Sequence, residues 1–372
     1  MTNPLSNYRS LWLPDLLWIL VLATLATIPF LTPALDIRIL SWFYHPGAQP
    51  AWPHESSPVW RALYTFGTWP ALITALTGLA LVVMAPFRPR LIRWRRHAAL
   101  VFLTLVLGPG LFVNTLFKDH WGRPRPRQVT ELGGTMTYQC FYEKGVAGRG
   151  KSFPCGHSSM GYYFVVFYFL TRRKHRKLAR IIFAGTLAYG TWIGIARMMA
   201  GAHFASDVLW SAVFPSAMAW LLYYVILRIP QHEDTPAGES GASFWRSRLL
   251  LWGAPPVAAA AIAAVMLATP AYTEIRYDLV PPHPGPAIVN VQVEKCRVSC
   301  ITGTRGDSSI TIRGEAQGFG WPWSRLRHQA VWRPGPGAVL DVTFKPSGHF
   351  SELDGEMIIT TPEGTVIHQE AR

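Results

Sequence analysis

The chain is expected to fold as an all-α polytopic membrane bundle of six to seven transmembrane helices followed by a small antiparallel β-domain. Three observations carry that expectation. Half of the 372 residues are hydrophobic, and the mean hydropathy is +0.17 in a chain that also holds 16 tryptophans. The apolar residues are blocked into runs close to the roughly 17–25 that a helix needs to cross a bilayer core. After residue 268 the pattern changes to short alternating stretches broken by glycine and proline, the period of strands.

The candidate spans, in chain order, are Leu11–Leu31, Trp69–Met84, Ala98–Leu116, Gly156–Leu170, Ile181–Ala196, Val208–Leu227 and Leu249–Ala268. The fourth is short and Asp15 lies inside the first, so six is the alternative count, with the first or last run not spanning. The first run exceeds the roughly 7–15 apolar residues of a signal peptide core, and only Arg9 precedes it as a cation. It is expected to stay as a membrane helix.

The net charge of +14 is spread over loops. "FRPRLIRWRRH" (Phe87–His97) joins the second and third spans, and "TRRKHRKLAR" (Thr171–Arg180) joins the fourth and fifth. Short loops rich in Lys and Arg stay cytoplasmic, and alternating helices put both clusters on one side. No nucleic-acid partner is expected, since the cations do not form one patch. Regions Thr32–Thr68, Phe117–Cys155 and Arg197–Asp207, and all that follows Thr269, then face outward. In a bacterium that is the periplasmic side of the inner membrane. Outside that membrane disulfides persist, so Cys140 with Cys155 and Cys296 with Cys300 are expected to form two local bridges. Neither pair has the short-knuckle context of a metal site.

Residues 1–268 thus read as the membrane domain, with "PQHEDTPAGESGASFW" (Pro230–Trp245) as a cytoplasmic linker before the last span. Residues 269–372 read as the β-domain, entered through a proline-rich bridge, Thr269–Ala287. Its strands are expected in "AIVNVQVEKC", "SSITIRG", "AVLDVTFKP" and "GEMIITTPEGTVIHQ".

Three outward segments hold the chemistry: "KDHWGRPRPRQ" (Lys118–Gln128), "SFPCGHSS" (Ser152–Ser159) and "ARMMAGAHFASD" (Ala196–Asp207). His203 and Asp207 are one helical turn apart; a carboxylate bonded to one ring nitrogen raises the basicity of the other, as a nucleophilic histidine requires. A histidine that merely caps a helix end fits the same spacing. Gly156, His157, Ser158 and Ser159 would open a helix whose free amides attract an anion, with His157 placed to give a proton; plain serine capping is the bland alternative. Lys118, Arg123, Arg125 and Arg127 supply cations, and arginine's planar fork matches phosphate oxygens. Together these suggest phosphoryl transfer.

Lys118, then Arg125-Pro126, then Pro154-Cys155-Gly156-His157, then Arg197, His203 and Asp207 resemble the three-part signature of the type 2 phosphatidic acid phosphatase (lipid phosphate phosphatase) superfamily. The resemblance covers roughly residues 70–227. It implies His203 as the nucleophile forming a phosphohistidine, Asp207 orienting it and His157 protonating the leaving oxygen. Lys118, Arg125, Arg197, Cys155 and Gly156 would bind the phosphate, with Arg123 and Ser158 as accessories, and without metal or cofactor. The stretch from Lys118 through Gly133-Gly134 to Cys140 resembles the bacterial lipid A phosphatase group. A phospholipid or lipid A-type substrate is the expected partner; undecaprenyl pyrophosphate, phosphatidylglycerol phosphate and phosphatidic acid stay open.

Two residues depart from the signature: Cys155 stands where the second motif usually has serine, and Ala196 where the third usually has serine. A disulfided Cys155 would keep only its backbone amide for the phosphate. The rival readings are a lipid-to-lipid phosphotransferase using the same histidine, vanadate-dependent haloperoxidase chemistry on the same motifs, and a non-enzymatic scaffold or transporter displaying the β-domain. In that domain, Trp321, Trp323 and Trp332 with Arg325, Arg327 and Arg333 would make an aromatic core or a binding surface. A second tetrad, "PSGH" at Pro346–His349, spells the motif better than "PCGH" but sits among strands, so it is expected to be a turn.

Overall fold

The computed structural model describes residues 8–48, 50–234, 269–282, 286–294, 296–302, 309–321, 323–334 and 337–371. The expected span Leu249–Ala268 and the linker beyond Asp234 lie outside them. The chain divides into two compact units, one helical and one of β-strands.

The helical unit begins with α1 (Arg9–Thr27), α2 (Pro33–Ser41), α3 (Pro58–Phe66) and α4 (Trp69–Met84). A short α5 (Pro89–Ile92) leads into α6 (Arg95–Leu105), which continues as a wider π-helix over Val106–Lys118 and a last turn, α7 (Asp119–Trp121). Then come α8 (Gly156–Tyr162), α9 (Val165–Thr171), α10 (Arg176–Met199), α11 (Ala205–Trp220) and α12 (Ile229–Asp234). Among the described residues five helices are long and apolar enough to cross a membrane: Arg9–Phe30, Pro58–Met84, Arg95–Gln128, Arg176–Met199 and Ala205–Ile226. They match five of the seven expected spans.

The fourth run is the exception. A turn at Tyr163 and Phe164 divides it into α8 and α9, and its inner face is dry: Tyr162, Tyr163 and Phe169 are among the largest fully buried side chains. It packs on α10 where Gly161 meets Gly190; a Cβ on Gly161 would lie 2.7 Å from the Gly190 Cα. Small residues at a crossing let two helix backbones touch. The outer helices present the opposite face, with Leu20, Val21, Ile73, Leu76 and Ile181 more than half exposed. Apolar side chains facing outward suit a lipid surround.

Asp15, the acid inside the first run, is fully buried and fully satisfied. Its carboxylate accepts from the Tyr168 and Tyr224 hydroxyls, each at 2.7 Å, from the Trp18 indole at 3.3 Å, and from Arg172. A membrane-depth charge survives only when paired within the bundle. Nearby contacts gather the basic loops at one end: His97 pairs with Glu233 at 2.9 Å, and Arg173 pairs with Glu233 and Asp234. The two Arg-rich loops therefore do share an end, as alternation required.

The π-helical stretch carries Pro109, which has no amide to donate. Two side chains reach back five residues along it: Asn114 Nδ2 donates to the Pro109 carbonyl at 2.7 Å and Thr115 Oγ1 to the Gly110 carbonyl at 3.2 Å. Such wide turns recur at functional sites, and this one delivers Lys118 at its end.

The β unit contains β1 (Thr269–Leu279), β2 (Ile288–Val293), β3 (Arg297–Thr302), β4 (Ile310–Gly320), β5 (Arg325–Trp332), β6 (Val339–Ser347), β7 (Phe350–Thr361) and β8 (Val366–Ala371). They form two four-stranded sheets, ordered β1-β4-β7-β3 and β5-β6-β2-β8. Inward alternation is clean: Val289, Val291, Ile310, Ile312, Leu340, Val342 and Phe344 fill one core. The sheets are mixed, however, and not antiparallel as expected. β2 runs parallel to both β6 and β8, and β3 runs parallel to β7. The chain changes sheet at most connections, so among the described strands only β5 and β6 pair as sequence neighbours; a strand that re-enters a sheet from its partner sheet is free to run parallel. Trp332 packs on the core, while Trp323 is 60% exposed and stacks on Trp321 at 4.9 Å. "PSGH" is indeed a turn: Ser347 ends β6, Gly348 has φ +102° and β7 starts at Phe350.

The four cysteines stand as thiols, in place of the two expected bridges. Cys300 lies within β3 and Cys296 just before it. Four residues of extended chain span about 13 Å, twice the Cα separation a disulfide allows. Cys155 is committed to the site described next.

Candidate active site

Four helix ends bring the sequence segments together. Lys118 closes the long helix from α6, Cys155 precedes α8, Arg197 lies in the last turn of α10, and His203 and Asp207 flank the start of α11. His203 is 1% exposed and Asp207 fully buried. The His203 Nδ1 lies 2.6 Å from the Ser152 carbonyl oxygen. A carbonyl can only accept, so Nδ1 carries the proton and Nε2 keeps its lone pair in the neutral ring. The nucleophile-ready tautomer is thus fixed by a backbone atom.

Asp207 is 3.8 Å from that Nδ1, too far for a hydrogen bond. Its Oδ2 accepts from the Ser152 hydroxyl at 2.6 Å and from the Phe204 amide at 2.8 Å, and its Oδ1 accepts from Arg123. One carboxylate therefore caps its own helix and pins the Ser152 loop whose carbonyl holds His203. It orients the imidazole through Ser152 and by proximity rather than by the direct bond expected from the i, i+4 spacing.

On the other side, the His157 ring stacks on Tyr64 at 4.7 Å, and the Arg197 guanidinium lies over the same Tyr64 ring at 4.5 Å. The charges of Arg197, Lys118, His203 and Arg125 all act on His157. Arg197 Nε is buried with no hydrogen-bond partner, a donor waiting for an acceptor. Beside it opens a cleft of about 480 Å³ lined by Trp60, Arg61, Tyr64, Arg125, Arg127 and Arg197. Fixed cations around a buried, basic imidazole are what a phosphoryl group needs.

Comparison with known proteins agrees. The model of the PAP2 superfamily matches residues 98–230. A lipid A 4′-phosphatase of Francisella tularensis subsp. novicida (strain U112) is 32% identical over 219 residues, spanning 56% of this chain and 94% of that protein. The chain belongs to the PAP2 superfamily. It is a phosphatase by family, as its three motifs imply. A lipid A 4′-phosphatase of Rhizobium leguminosarum is 36% identical over 28% of this chain and 45% of its own. A lipid A 1-phosphatase of Rhizobium johnstonii is 33% identical over 35% of this chain and 48% of its own.

Within this PAP2 site, three sequence expectations are corrected. Arg123 does not line the cleft. It is fully buried and donates to Asp207, to Asp36 Oδ2 at 2.9 Å, to the Ser206 hydroxyl at 2.8 Å, to the Tyr138 hydroxyl at 3.0 Å and to the Gln139 carbonyl at 2.9 Å. Two carboxylates hold it more tightly than solvent or a transient anion would. Ser158 is likewise occupied, its hydroxyl donating to the Gly190 carbonyl at 2.6 Å. The Cys155 amide, expected to serve the phosphate, donates to the Asp207 carbonyl at 3.2 Å.

The Cys155 side chain is fully buried beside His203. Burial pushes the thiol up, but the His203 and Arg197 charges outweigh it and hold the group below its ordinary value. For His203 burial works downward, and the neighbouring Cys155 and Asp207 raise it above an ordinary histidine. Gly156 has a steric reason: a Cβ there would meet Asn114 Oδ1 at 2.2 Å.

Sequence reasoning missed Asp36, Tyr138, Ser152, Ser206 and Tyr64. Asp36 carried a signal, a lone acid in the apolar "PALDIRIL". The other four are ordinary loop or helix residues whose roles exist only once distant segments meet.

Proposed function

We propose that this PAP2 protein is an integral-membrane phosphatase that hydrolyses a phosphomonoester or pyrophosphate on a lipid headgroup, a lipid A-type glycolipid foremost. The single observation that carries the reading is the 2.6 Å bond from His203 Nδ1 to the Ser152 carbonyl, which leaves Nε2 as the lone pair of a buried ring. In the reaction the phosphate dianion offsets the cations around His157 and lets that ring hold a proton; Nε2 then attacks phosphorus, the ester oxygen leaves, and His157 gives that oxygen its proton. Lys118, Arg125 and Arg197 meet the charge on the three remaining oxygens. His157, now neutral, takes a proton from water as the water's oxygen attacks the phosphohistidine, releasing inorganic phosphate and His203.

The lipid A preference is supported by relatives named for the 4′ and 1 positions of lipid A. The site lies at the helix ends opposite the Arg-rich loops, so the positive-inside rule assigns it to the periplasmic face of an inner membrane. The β-strands over 269–372 are assigned to the same side, as a domain distinct from the membrane domain of residues 1–268.

The test is phosphate release from lipid A, undecaprenyl pyrophosphate and phosphatidic acid by purified protein, with alkaline-quench trapping of a labelled phosphoenzyme. The wild type is expected to release phosphate in EDTA and to trap an acid-labile label; His203→Ala is expected to do neither. Release by the His203→Ala variant would overturn the mechanism.

A further inference from the structure

The β unit carries a cleft of its own. A space of about 450 Å³ opens on the sheet β5-β6-β2-β8, lined by Asn290, Gln292, Arg333, Asp341, Thr343 and His368. That volume falls within the roughly 300–1,000 Å³ of small-molecule sites. The wall follows from the period of the strands: Val289, Val291, Leu340 and Val342 turn into the core, so the residues between them face out. Register sets those residues side by side. Asn290 stands between Asp341 on β6 and His368 on β8, and Gln292, two residues on, is paired with Thr343 on β6. Strand spacing and rise make this grid about 10 Å across the strands and about 7 Å along them, long enough for two linked sugar rings.

Arg333 grips the Asp341 carboxylate with a two-pronged fork, Nε at 3.1 Å and Nη2 at 2.9 Å, and Asn290 Nδ2 donates to Asp341 Oδ1 at 2.8 Å. The guanidinium and the carboxylate offset each other's charge, so the pair rewards hydrogen bonding more than it rewards an ion. Held in this way, an amide, a carboxylate and a guanidinium present planar edges of donors and acceptors in fixed places. Adjacent hydroxyls of a sugar ring, each a donor and an acceptor at once, fit such two-atom edges. We infer that this face of the β unit is a saccharide-binding site that takes a neutral disaccharide across β6, β2 and β8. The inference goes beyond the phosphatase reading and does not depend on it. The sugar is either a free oligosaccharide or the headgroup of a glycolipid, since both present the same hydroxyls.

Full-length protein, in a detergent whose headgroup carries no sugar, is titrated by calorimetry with chitobiose, cellobiose, maltose and lactose. The same disaccharides are then presented as glycolipids in phosphatidylcholine nanodiscs. At least one is expected to bind saturably at a single site. Binding of the free sugar as tightly as the lipid-borne one assigns a soluble glycan; a preference of tenfold or more for the lipid-borne one assigns a headgroup. Asn290→Ala and Thr343→Val should each weaken that binding about tenfold or more, a difference of about 1.4 kcal/mol. Thr343→Val removes a hydroxyl at constant shape and leaves the Asp341 bonds in place, so it reads the site even if Asn290→Ala disturbs the sheet. No binding of any disaccharide in either form, or full affinity in Thr343→Val, overturns the site. The titration reads the same whether or not phosphate is released, so this inference and the phosphatase reading fail separately.

Discussion

Two buried Asp–Arg–Tyr clusters sit toward opposite ends of the helical unit, built from the same parts. At the end away from the site, Asp15 is met by Arg172, Tyr168 and Tyr224. At the site end, Asp36 and Asp207 share Arg123, with Tyr138 and Ser206 closing the ring. The first holds one carboxylate against an arginine that is still 14% exposed. The second holds two carboxylates against an arginine with no exposure at all. A pair at the rim can exchange its partner for water or lipid headgroups, so it staples α1 to the bundle. An enclosed cluster cannot relax, so it fixes geometry. Through Asp207 and Ser152 that geometry is the position of His203.

Breaking the enclosed cluster is expected to have the largest effect. Arg123→Met leaves two buried carboxylates unpaired, a loss of about 3–5 kcal/mol or more. It should unfold earlier in detergent, by tryptophan fluorescence, and release no phosphate. Asp36→Asn keeps the shape and removes one charge; kcat should fall about a hundredfold through displacement of the Asp207–Ser152 anchor, with KM nearly constant. Asp15→Asn sharpens the contrast. It should cost about 1–3 kcal/mol of stability while the folded fraction keeps its kcat. If Asp15→Asn lowered kcat as Asp36→Asn does, the distinction between staple and anchor would fail.

The smallest effect concerns Cys155. Its presence and that of Asp207 raise His203, outweighing burial, so the fold favours the protonated ring. That stabilisation is fully present at pH values below the unfolded histidine's pKa and is lost as pH rises through the raised native value. Catalysis needs the opposite, a neutral Nε2, so activity should climb over the same range. Cys155→Ser removes one of the groups that raise His203, and the acid limb of the kcat/KM profile should move to lower pH. A limb that stays put would mean the thiol does not govern the imidazole.

The membrane class, five of the spans, the shared end of the basic loops and the residues of the three motifs were legible in the chain. Each rests on local pattern, such as run length, charge placement or spacing along one helix. Strand direction was not legible, because alternation gives burial but not which sheet a strand re-enters. Nor could spacing tell Arg123 from Arg125: two positions apart in "GRPRPR", one is sealed among carboxylates and the other lines the cleft. The sequence by itself determined that a histidine, a carboxylate and several cations would gather at helix ends. Only the tertiary structure decided which cation is structural, that a backbone carbonyl holds His203, and that Tyr64 joins His157 to Arg197. Those assignments depend on contacts between segments far apart in the chain, and a contact of that kind leaves no periodicity to read.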